Sequence, residues 1–148
     1  MGKIAVVYWS ASGNTKQMAD AIADGIKRTG EVVEIFSAAD FPTERVVEFE
    51  KIAFGCPAMG VEELEQDEFE PVFTELEMHL TGKIIALFGS YDWGDGEWMR
   101  TWQHRINDDK AVLFEGKGII VHGTPNKDDK QLCRAFGQRL AQEMINKR

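Results

Sequence analysis

A chain of 148 residues has room for one compact domain, so we predict a single domain over residues 1–148. Hydrophobic residues make up 43% of the chain, as in globular proteins with a buried core, and no apolar run reaches the roughly 20 residues that a membrane-spanning helix needs. Asp and Glu number 25 against 17 Lys and Arg, and the formal net charge of −8 disfavours nucleic acid and anionic membranes as partners. The opening Met1-Gly2-Lys3 lacks signal-peptide features, and Cys56 and Cys133 lack metal-ligand spacing, so we expect a cytoplasmic protein with reduced thiols.

Strands are assigned to short, continuous apolar runs and helices to apolar residues that recur every three or four positions. In the first half of the chain, the sequence predicts a strand at 3–9, a helix from about 14 to Gly30, and strands at 32–36 and 51–56 with a short helix at 44–49 between them. In the second half, it predicts a helix from Pro71 to Gly82, a strand at 84–89, a helix at 98–106, strands at 111–114 and 118–121, and a helix at 127–145. In the last helix we expect four residues to face the core: Leu132, Phe136, Leu140 and Met144.

Strands that alternate with helices predict an α/β fold, with a parallel sheet and helices on both of its faces. Strands covered on both faces are expected to be continuously apolar, as they are here. In such sheets, ligands bind beyond the carboxyl ends of the strands. This rule directs attention to three loops, at 10–15, 57–62 and 90–96.

The first loop contains small and hydroxylated residues between a strand and a helix: Ser10, Ala11, Ser12, Gly13, Asn14 and Thr15. Backbone N–H groups, hydroxyls and a helix N-terminus together form a binding site for a phosphate. The loop matches neither the nucleoside-triphosphate loop nor the dinucleotide-binding fingerprint. A plain helix cap is the alternative reading, because Ser and Asn are favoured at that position in any case.

The second loop follows a buried strand and consists of Pro57, Ala58, Met59, Gly60, Val61 and Glu62. Its small residues allow a flat ring to approach the backbone, and the Glu62 carboxylate is a suitable acceptor for a ring N–H. An ordinary strand-to-helix turn with solvated glutamates is the alternative.

The third loop places aromatic residues among glycines: Gly89, Ser90, Tyr91, Asp92, Trp93 and Gly94. An exposed Trp in a loop favours a partner with an aromatic face. The alternative is that Tyr91, Trp93 and the following Trp98 only pack on the sheet edge.

Taken together, these segments resemble the short-chain flavodoxins, especially those of clostridia. The matching stretches are Tyr8-Trp9-Ser10, Ser12-Gly13-Asn14-Thr15, Ala58-Met59-Gly60, Phe69-Glu70-Pro71, Ala86-Leu87-Phe88-Gly89-Ser90-Tyr91, Trp93-Gly94-Asp95-Gly96 and Trp98-Met99-Arg100. The last predicted strand leads directly to the last helix, without the insertion of the long-chain members.

The resemblance implies a doubly wound sheet of five parallel strands in the order 2-1-3-4-5, with flavin mononucleotide (FMN) bound non-covalently. Its phosphate would be held by Ser10, Ser12, Gly13, Asn14 and Thr15. Met59 and Trp93 would flank the isoalloxazine ring, Glu62 would accept from its N3–H, and the Gly60 carbonyl would meet the N5–H of the neutral semiquinone. The implied function is a low-potential one-electron carrier that cycles mainly between semiquinone and hydroquinone.

Three residues depart from the clostridial pattern: Pro57 replaces Ser, Val61 replaces Asp, and Asp92 replaces Gly. If residues 59–62 form a four-residue turn, a type II turn would place Val61 at positive φ, which is strained for a β-branched residue. We therefore expect Val61 to avoid positive φ and Gly60 to adopt it where required.

The resemblance also implies redox partner proteins, which would dock at an acidic edge beside the flavin, made up of Glu62, Glu63, Glu65, Asp67, Asp92 and Asp95. A solvated acidic rim without a partner role is the alternative. We expect a monomer with no enzymatic activity of its own. The competing function is an FMN-dependent NAD(P)H or quinone oxidoreductase, which needs a second-substrate pocket that this compact chain offers little room for.

Overall fold

The computed structural model describes residues 3–145. Its strands are β1 (Lys3–Tyr8), β2 (Val33–Ser37), β3 (Phe49–Gly55), β4 (Ile84–Tyr91), β5 (Val112–Leu113) and β6 (Ile119–His122). Its α-helices are α1 (Asn14–Arg28), α2 (Phe69–Glu77), α3 (Glu97–Asp108) and α4 (Lys127–Gln142), and short 3₁₀ turns occupy Ala38–Asp40, Thr43–Glu48 and Phe114–Gly116. Within residues 3–145, no helix combines the length and the apolar character needed to cross a membrane.

The strands form one parallel sheet in the order β2-β1-β3-β4-β5, which confirms the order implied by the resemblance. The fifth position is shared, because both β5 and β6 pair with β4. The 3₁₀ turn between them contains Glu115 and Gly116 at φ values of 60° and 76°. This left-handed kink interrupts the edge strand and divides it in two.

Helices cover both faces of the sheet, and each face has its own apolar core. On one face, α2 and α3 bury Phe73 and Trp102 against Phe54 and Leu87. On the other, α1 and α4 pack so closely that a Cβ on Gly137 would overlap the Ile22 carbonyl. Both faces of the central strands are therefore dry, which explains their continuous apolar sequence.

The predicted inner face of α4 is partly wrong. Leu132 is 62% exposed and Met144 is 82% exposed, whereas Cys133 is fully buried. The helix contacts α1 through Gly137, and this contact rotates its buried stripe by about one residue. Met144 lies beyond the end of the helix at Gln142, where the buried Lys51 ammonium donates to the carbonyls of Leu140 and Ala141.

Candidate functional site

The three predicted loops meet at the carboxyl edge of β1, β3 and β4. They line one cleft of about 120 Å³, with walls formed by Ser10, Ala11, Ser12, Thr15, Pro57, Ala58, Met59, Ser90, Tyr91 and Asp92. Larger cavities of about 520 and 590 Å³ open at the opposite edge of the sheet, around Glu50 and Glu143. Those cavities contain none of the three loops, so convergence of the loops, rather than size, identifies the candidate site.

The first loop presents neutral donors at the N-terminus of α1. Gly13 precedes the helix at a φ of 98°, which glycine adopts without strain. Ser10 Oγ accepts from the backbone N–H groups of Gly13 and Lys16, each over 3.2 Å, so these donors already face an oxygen atom. The Lys16 ammonium pairs instead with Asp20, at 3.0 Å. Backbone amides and hydroxyls, backed by the helix dipole, are therefore the groups available to a phosphate.

Thr15 and Ser90 join the first loop to the third beneath the cleft. Their hydroxyl oxygens lie 2.8 Å apart, and the Ser90 N–H donates to Thr15 Oγ1 over 3.3 Å. Thr15 is 1% exposed and Ser90 is 5% exposed. The Thr15 hydroxyl thus fixes the base of the cleft in addition to any contact it makes with a ligand.

The second loop is one residue longer than the predicted turn. Met59 and Glu63 exchange two backbone hydrogen bonds, of 2.8 and 2.9 Å, and enclose three residues between them. Gly60 and Glu62 have positive φ, of 50° and 54°. Val61 does not, which confirms the prediction that it avoids this region. The four-residue turn was wrong because the chain closes on Glu63, which moves the second left-handed position to Glu62.

The Glu62 carboxylate connects the second loop to the third. Its Oε1 accepts from the Glu97 N–H over 2.8 Å, and its Oε2 accepts from the Asp95 N–H over 3.4 Å. Gly94 lies against it at a φ of 85°, and a Cβ there would come within 2.6 Å of the Glu62 carboxyl carbon. The sequence predicted Glu62 as a ring acceptor but gave no indication that it also caps α3.

The aromatic residues of the third loop have different environments. Trp98 is 1% exposed, and Tyr91 packs against it with ring centroids 5.6 Å apart. Trp93 is 54% exposed, so packing on the sheet edge explains Tyr91 and Trp98 but not Trp93. Gly89 lies within β4, where a Cβ would overlap the Cys56 carbonyl, and therefore supports strand packing instead of lining the cleft.

The prediction that Glu65 belongs to the exposed acidic edge is wrong. Glu65 is only 6% exposed, and its carboxylate accepts from the backbone N–H groups of Asp67, Glu68 and Phe69 over 2.7 to 2.9 Å. It therefore caps the start of α2 and does not face solvent. The exposed members of the edge are Glu63, Asp67, Asp92 and Asp95, and Glu62 is half-buried.

The family profile described as Flavodoxin matches residues 6–137. The chain belongs to the flavodoxin family. It is 40% identical to a Clostridium beijerinckii flavodoxin over 136 residues, covering 92% of this chain and 97% of that one, and 41% identical to a Megasphaera elsdenii flavodoxin over 138 residues, covering 93% and 98%.

Solved flavodoxin structures superpose closely on this fold. The solution structure of two-electron reduced Megasphaera elsdenii flavodoxin matches with a TM-score of 0.84 at 39% identity, covering 95% of this chain and 99% of that one. A flavodoxin from the domain Archaea matches with a TM-score of 0.86 at 29% identity, covering 95% and 96%. Like the family to which it belongs, the chain is an FMN-binding electron carrier.

The chemistry of the residues at the cleft fits FMN. Neutral donors at the start of α1 suit the phosphate, Met59 lines the cleft, and the second and third loops also supply the Glu62 carboxylate and the exposed Trp93 for a flat ring with an N–H group. Sequence reasoning missed His122, whose Nε2 lies 3.1 Å from the Asp92 carbonyl oxygen. His122 is remote in sequence from every motif, and only the pairing of β6 with β4 brings it to the third loop.

Proposed function

We propose that this protein is a low-potential one-electron carrier without substrate turnover of its own. The observation that carries the proposal is the convergence of the three loops on one cleft, with an exposed Trp93 in the third of these loops. When bound, FMN supplies redox chemistry that accepts electrons one at a time. The chain supplies binding, orientation and a polar environment.

The phosphate contacts are assigned to the first loop. Ser10, Ser12 and Asn14 present side-chain donors there, and the N–H groups of Gly13 and Lys16, which now donate to Ser10 Oγ, would turn to a phosphate oxygen. Hydrogen bonds to a charged group contribute about 1.5–3 kcal/mol each, so a few of them suffice without a lysine. Pro57 has no N–H and no hydroxyl, so it contributes shape rather than a donor to this end of the cleft.

The ring contacts are assigned to the second and third loops. Met59 and Trp93 are assigned to the two ring faces. The Glu62 carboxylate already accepts from the N–H groups of Asp95, Glu97 and Trp98, which leaves one of its about four acceptor sites for a ring N–H. The Gly60 carbonyl lies in the same left-handed loop and is assigned to the ring N5 position.

The low potential follows from the surrounding charge. The exposed Asp92 lines the cleft, and Glu62 and Glu63 add two more carboxylates in the second loop, whereas the Asp95 carboxylate is paired with Arg100 at 2.9 Å. A second electron that leaves negative charge on the ring would be repelled by these groups, most strongly where water is excluded. The second reduction should therefore occur at a lower potential than in free FMN.

The same carboxylates support docking of redox partners. Glu63, Asp67, Asp92 and Asp95 are exposed around Trp93, and such a surface complements a basic patch on a partner enzyme. This mode of transient contact suits a cytoplasmic monomer, which is the state that we propose.

The test is stepwise anaerobic reduction of the FMN-loaded protein, followed by absorption. We expect two resolved one-electron stages, with the second at a potential well below that of free FMN. Incubation of the same sample with NADH or NADPH, in the absence of any partner, should give no sustained oxidation. Steady turnover would instead support an FMN-dependent oxidoreductase.

A further inference from the structure

The pairing of β4 with β6 ends at the third loop, and His122 extends it. Tyr91 lies opposite His122 in the parallel register, and the Gly123 N–H donates to the Tyr91 carbonyl over 2.8 Å. The next carbonyl along the chain belongs to Asp92, and His122 Nε2 lies 3.1 Å from its oxygen. The His122 side chain therefore extends the hydrogen bonding between β4 and β6 by one residue, beyond the last backbone pair.

The His122 ring also rests on a fixed aromatic stack. It packs on Tyr91 with ring centroids 5.0 Å apart, and Tyr91 in turn packs on Trp98 at 5.6 Å. Trp98 is almost fully buried, and its Nε1 donates to the Cys56 carbonyl over 3.0 Å. The exposed imidazole is therefore supported on one side by Tyr91 and Trp98, while its Nε2 reaches the Asp92 carbonyl.

Trp93 lies between two anchors. His122 holds the Asp92 carbonyl on one side, and Glu62 accepts from the Asp95 N–H on the other. Only Trp93 and Gly94 separate these points, and within residues 3–145 neither makes a hydrogen bond of its own. The placement of the exposed indole therefore depends on the backbone held at Asp92 and Asp95.

We propose that His122 is a positioning residue of the FMN site, and that it fixes the Asp92 carbonyl so that Trp93 is preorganised over the outer face of the ring. The role of Trp93 rests on the proposed function above. The contribution of His122 is preorganisation, because an anchored loop loses less freedom when FMN binds. An ordinary net hydrogen bond corresponds to about a 2- to 12-fold change in an equilibrium constant.

Two substitutions separate the donor of His122 from its ring. His122→Gln retains an N–H donor on a side chain of suitable reach but loses the ring. His122→Phe retains a ring that can pack on Tyr91 but loses the donor. His104→Phe is the matched control, because His104 is an exposed histidine of α3 without a contact to the three loops.

The experiment measures FMN affinity and bound-state flavin emission for each variant, together with amide hydrogen exchange of the apoprotein. We expect His122→Phe to weaken FMN binding by about 2- to 12-fold, to raise the emission of bound FMN, and to accelerate exchange at Trp93 and Gly94. His122→Gln should restore all three readouts toward wild type, and His104→Phe should change none of them. Unchanged exchange and affinity in His122→Phe would overturn the proposal, as would faster exchange spread evenly along β4 and β6, which indicates general loss of packing.

Trp93→Ala, alone and combined with His122→Phe, distinguishes this proposal from the proposed function. If Trp93 stacks on the ring and His122 acts through it, the effect of His122→Phe on emission should disappear in the Trp93→Ala background. A Trp93→Ala variant with unchanged FMN affinity and emission would refute the stacking role of Trp93. It would also refute the effect of His122 on FMN binding, which acts through Trp93. Accelerated exchange at Gly94 in His122→Phe would then still establish that His122 anchors the loop.

Discussion

The Glu62 carboxylate accepts a hydrogen bond from the Glu97 backbone N–H over 2.8 Å, and this contact fastens the second loop to the first turn of α3. Glu97 is the first residue of that helix, so the carboxylate satisfies an otherwise unpartnered donor and lies at the positive end of the helix dipole. A carboxylate has about four acceptor sites. Glu62 can therefore cap α3 and accept from a flavin N–H at the same time.

This dual role predicts that Glu62→Ala destabilises the protein even without FMN. Loss of a helix cap costs about 0.5–2 kcal/mol, and we expect the free energy of unfolding of the apoprotein to fall by that amount, in addition to weaker FMN binding. Denaturation of the apoprotein by urea measures the first effect. Glu63→Ala is the control, because Glu63 is exposed and the first N–H groups of α3 donate to Glu62 instead. Equal stability of the two variants would show that the cap contributes nothing.

Replacement of Trp93 separates stacking from folding. Because Trp93 is 54% exposed, Trp93→Ala should leave the stability of the apoprotein nearly unchanged. An aromatic pair contributes about 0.5–1.5 kcal/mol beyond area burial, so FMN affinity should fall at least 2-fold and bound-state emission should rise. Fluorescence titration of the apoprotein with FMN measures both. Transfer of the effect to Trp98→Phe would contradict the assignment, since Trp98 is buried in the core.

Patterns that depend on local physics could be read from the sequence. The buried strands, the alternation with helices and the convergence of the three loops all follow from apolar runs and from the rule for parallel sheets. The rotated face of α4 could not be read in the same way. Leu132 and Cys133 are both apolar, and the choice between them depends on how closely Gly137 lets α4 approach α1.

Acidic residues near the site were the least predictable. Glu62, Glu63 and Glu65 look alike in sequence, yet one caps α3, one is exposed and one caps α2. Their roles depend on where the loop closes, and that closure is set by the backbone pairing of Met59 with Glu63. A charge pattern alone contains no information about which carboxylate meets a helix end.

Asp109 predicts a pH dependence of stability that is remote from the flavin site. Its Oδ2 is buried, with no hydrogen-bond partner within residues 3–145, and burial together with the neighbouring Glu77 raises the pKa of the Asp109 carboxyl to about 7. The ordinary pKa is about 3.9, so the folded state binds this proton more tightly than the unfolded state. The resulting stability is fully present below about pH 4 and is lost as pH rises through about 7.

Asp109→Asn should therefore flatten the stability curve in this window. After allowance for solvent screening, we expect wild type to lose on the order of 1–2 kcal/mol relative to the variant between pH 4 and pH 7.5. Urea denaturation of the apoprotein at a series of pH values measures the difference. Asp40→Asn, at an exposed aspartate that is not among the groups that shift the pKa of Asp109, is the control and should run parallel to wild type. A parallel curve for Asp109→Asn would rule out a proton held at this site.

Val61 restricts the loop that carries the Gly60 carbonyl. It lies between two left-handed residues, Gly60 and Glu62, and stays out of positive φ itself. A β-branched residue excludes loop forms in which position 61 becomes left-handed, and strain of that kind costs on the order of 1–3 kcal/mol. Val61→Gly permits those forms in the oxidised protein, so the potential of the first electron should fall, with a much smaller change in the second.

Val61→Thr, which is also β-branched, should retain the first potential, as measured by spectroelectrochemical titration. Equal shifts in both couples would contradict an effect of loop conformation.

Charge at the same position should act on the other couple. Val61 is 82% exposed in the second loop, so Val61→Asp adds a negative charge without disturbing the core. The added charge opposes the negative charge that the second electron leaves on the ring. We expect the second potential to fall by on the order of 40 mV, equivalent to about 1 kcal/mol, at low ionic strength. Because the Debye length shortens to about 8 Å at 0.15 M salt, the shift should diminish as salt is added.

Val61→Asn has a similar shape without the charge and should leave the second potential near that of wild type. A shift of equal size in the Asn and Asp variants, or one that does not respond to salt, would show that position 61 acts through conformation rather than through charge.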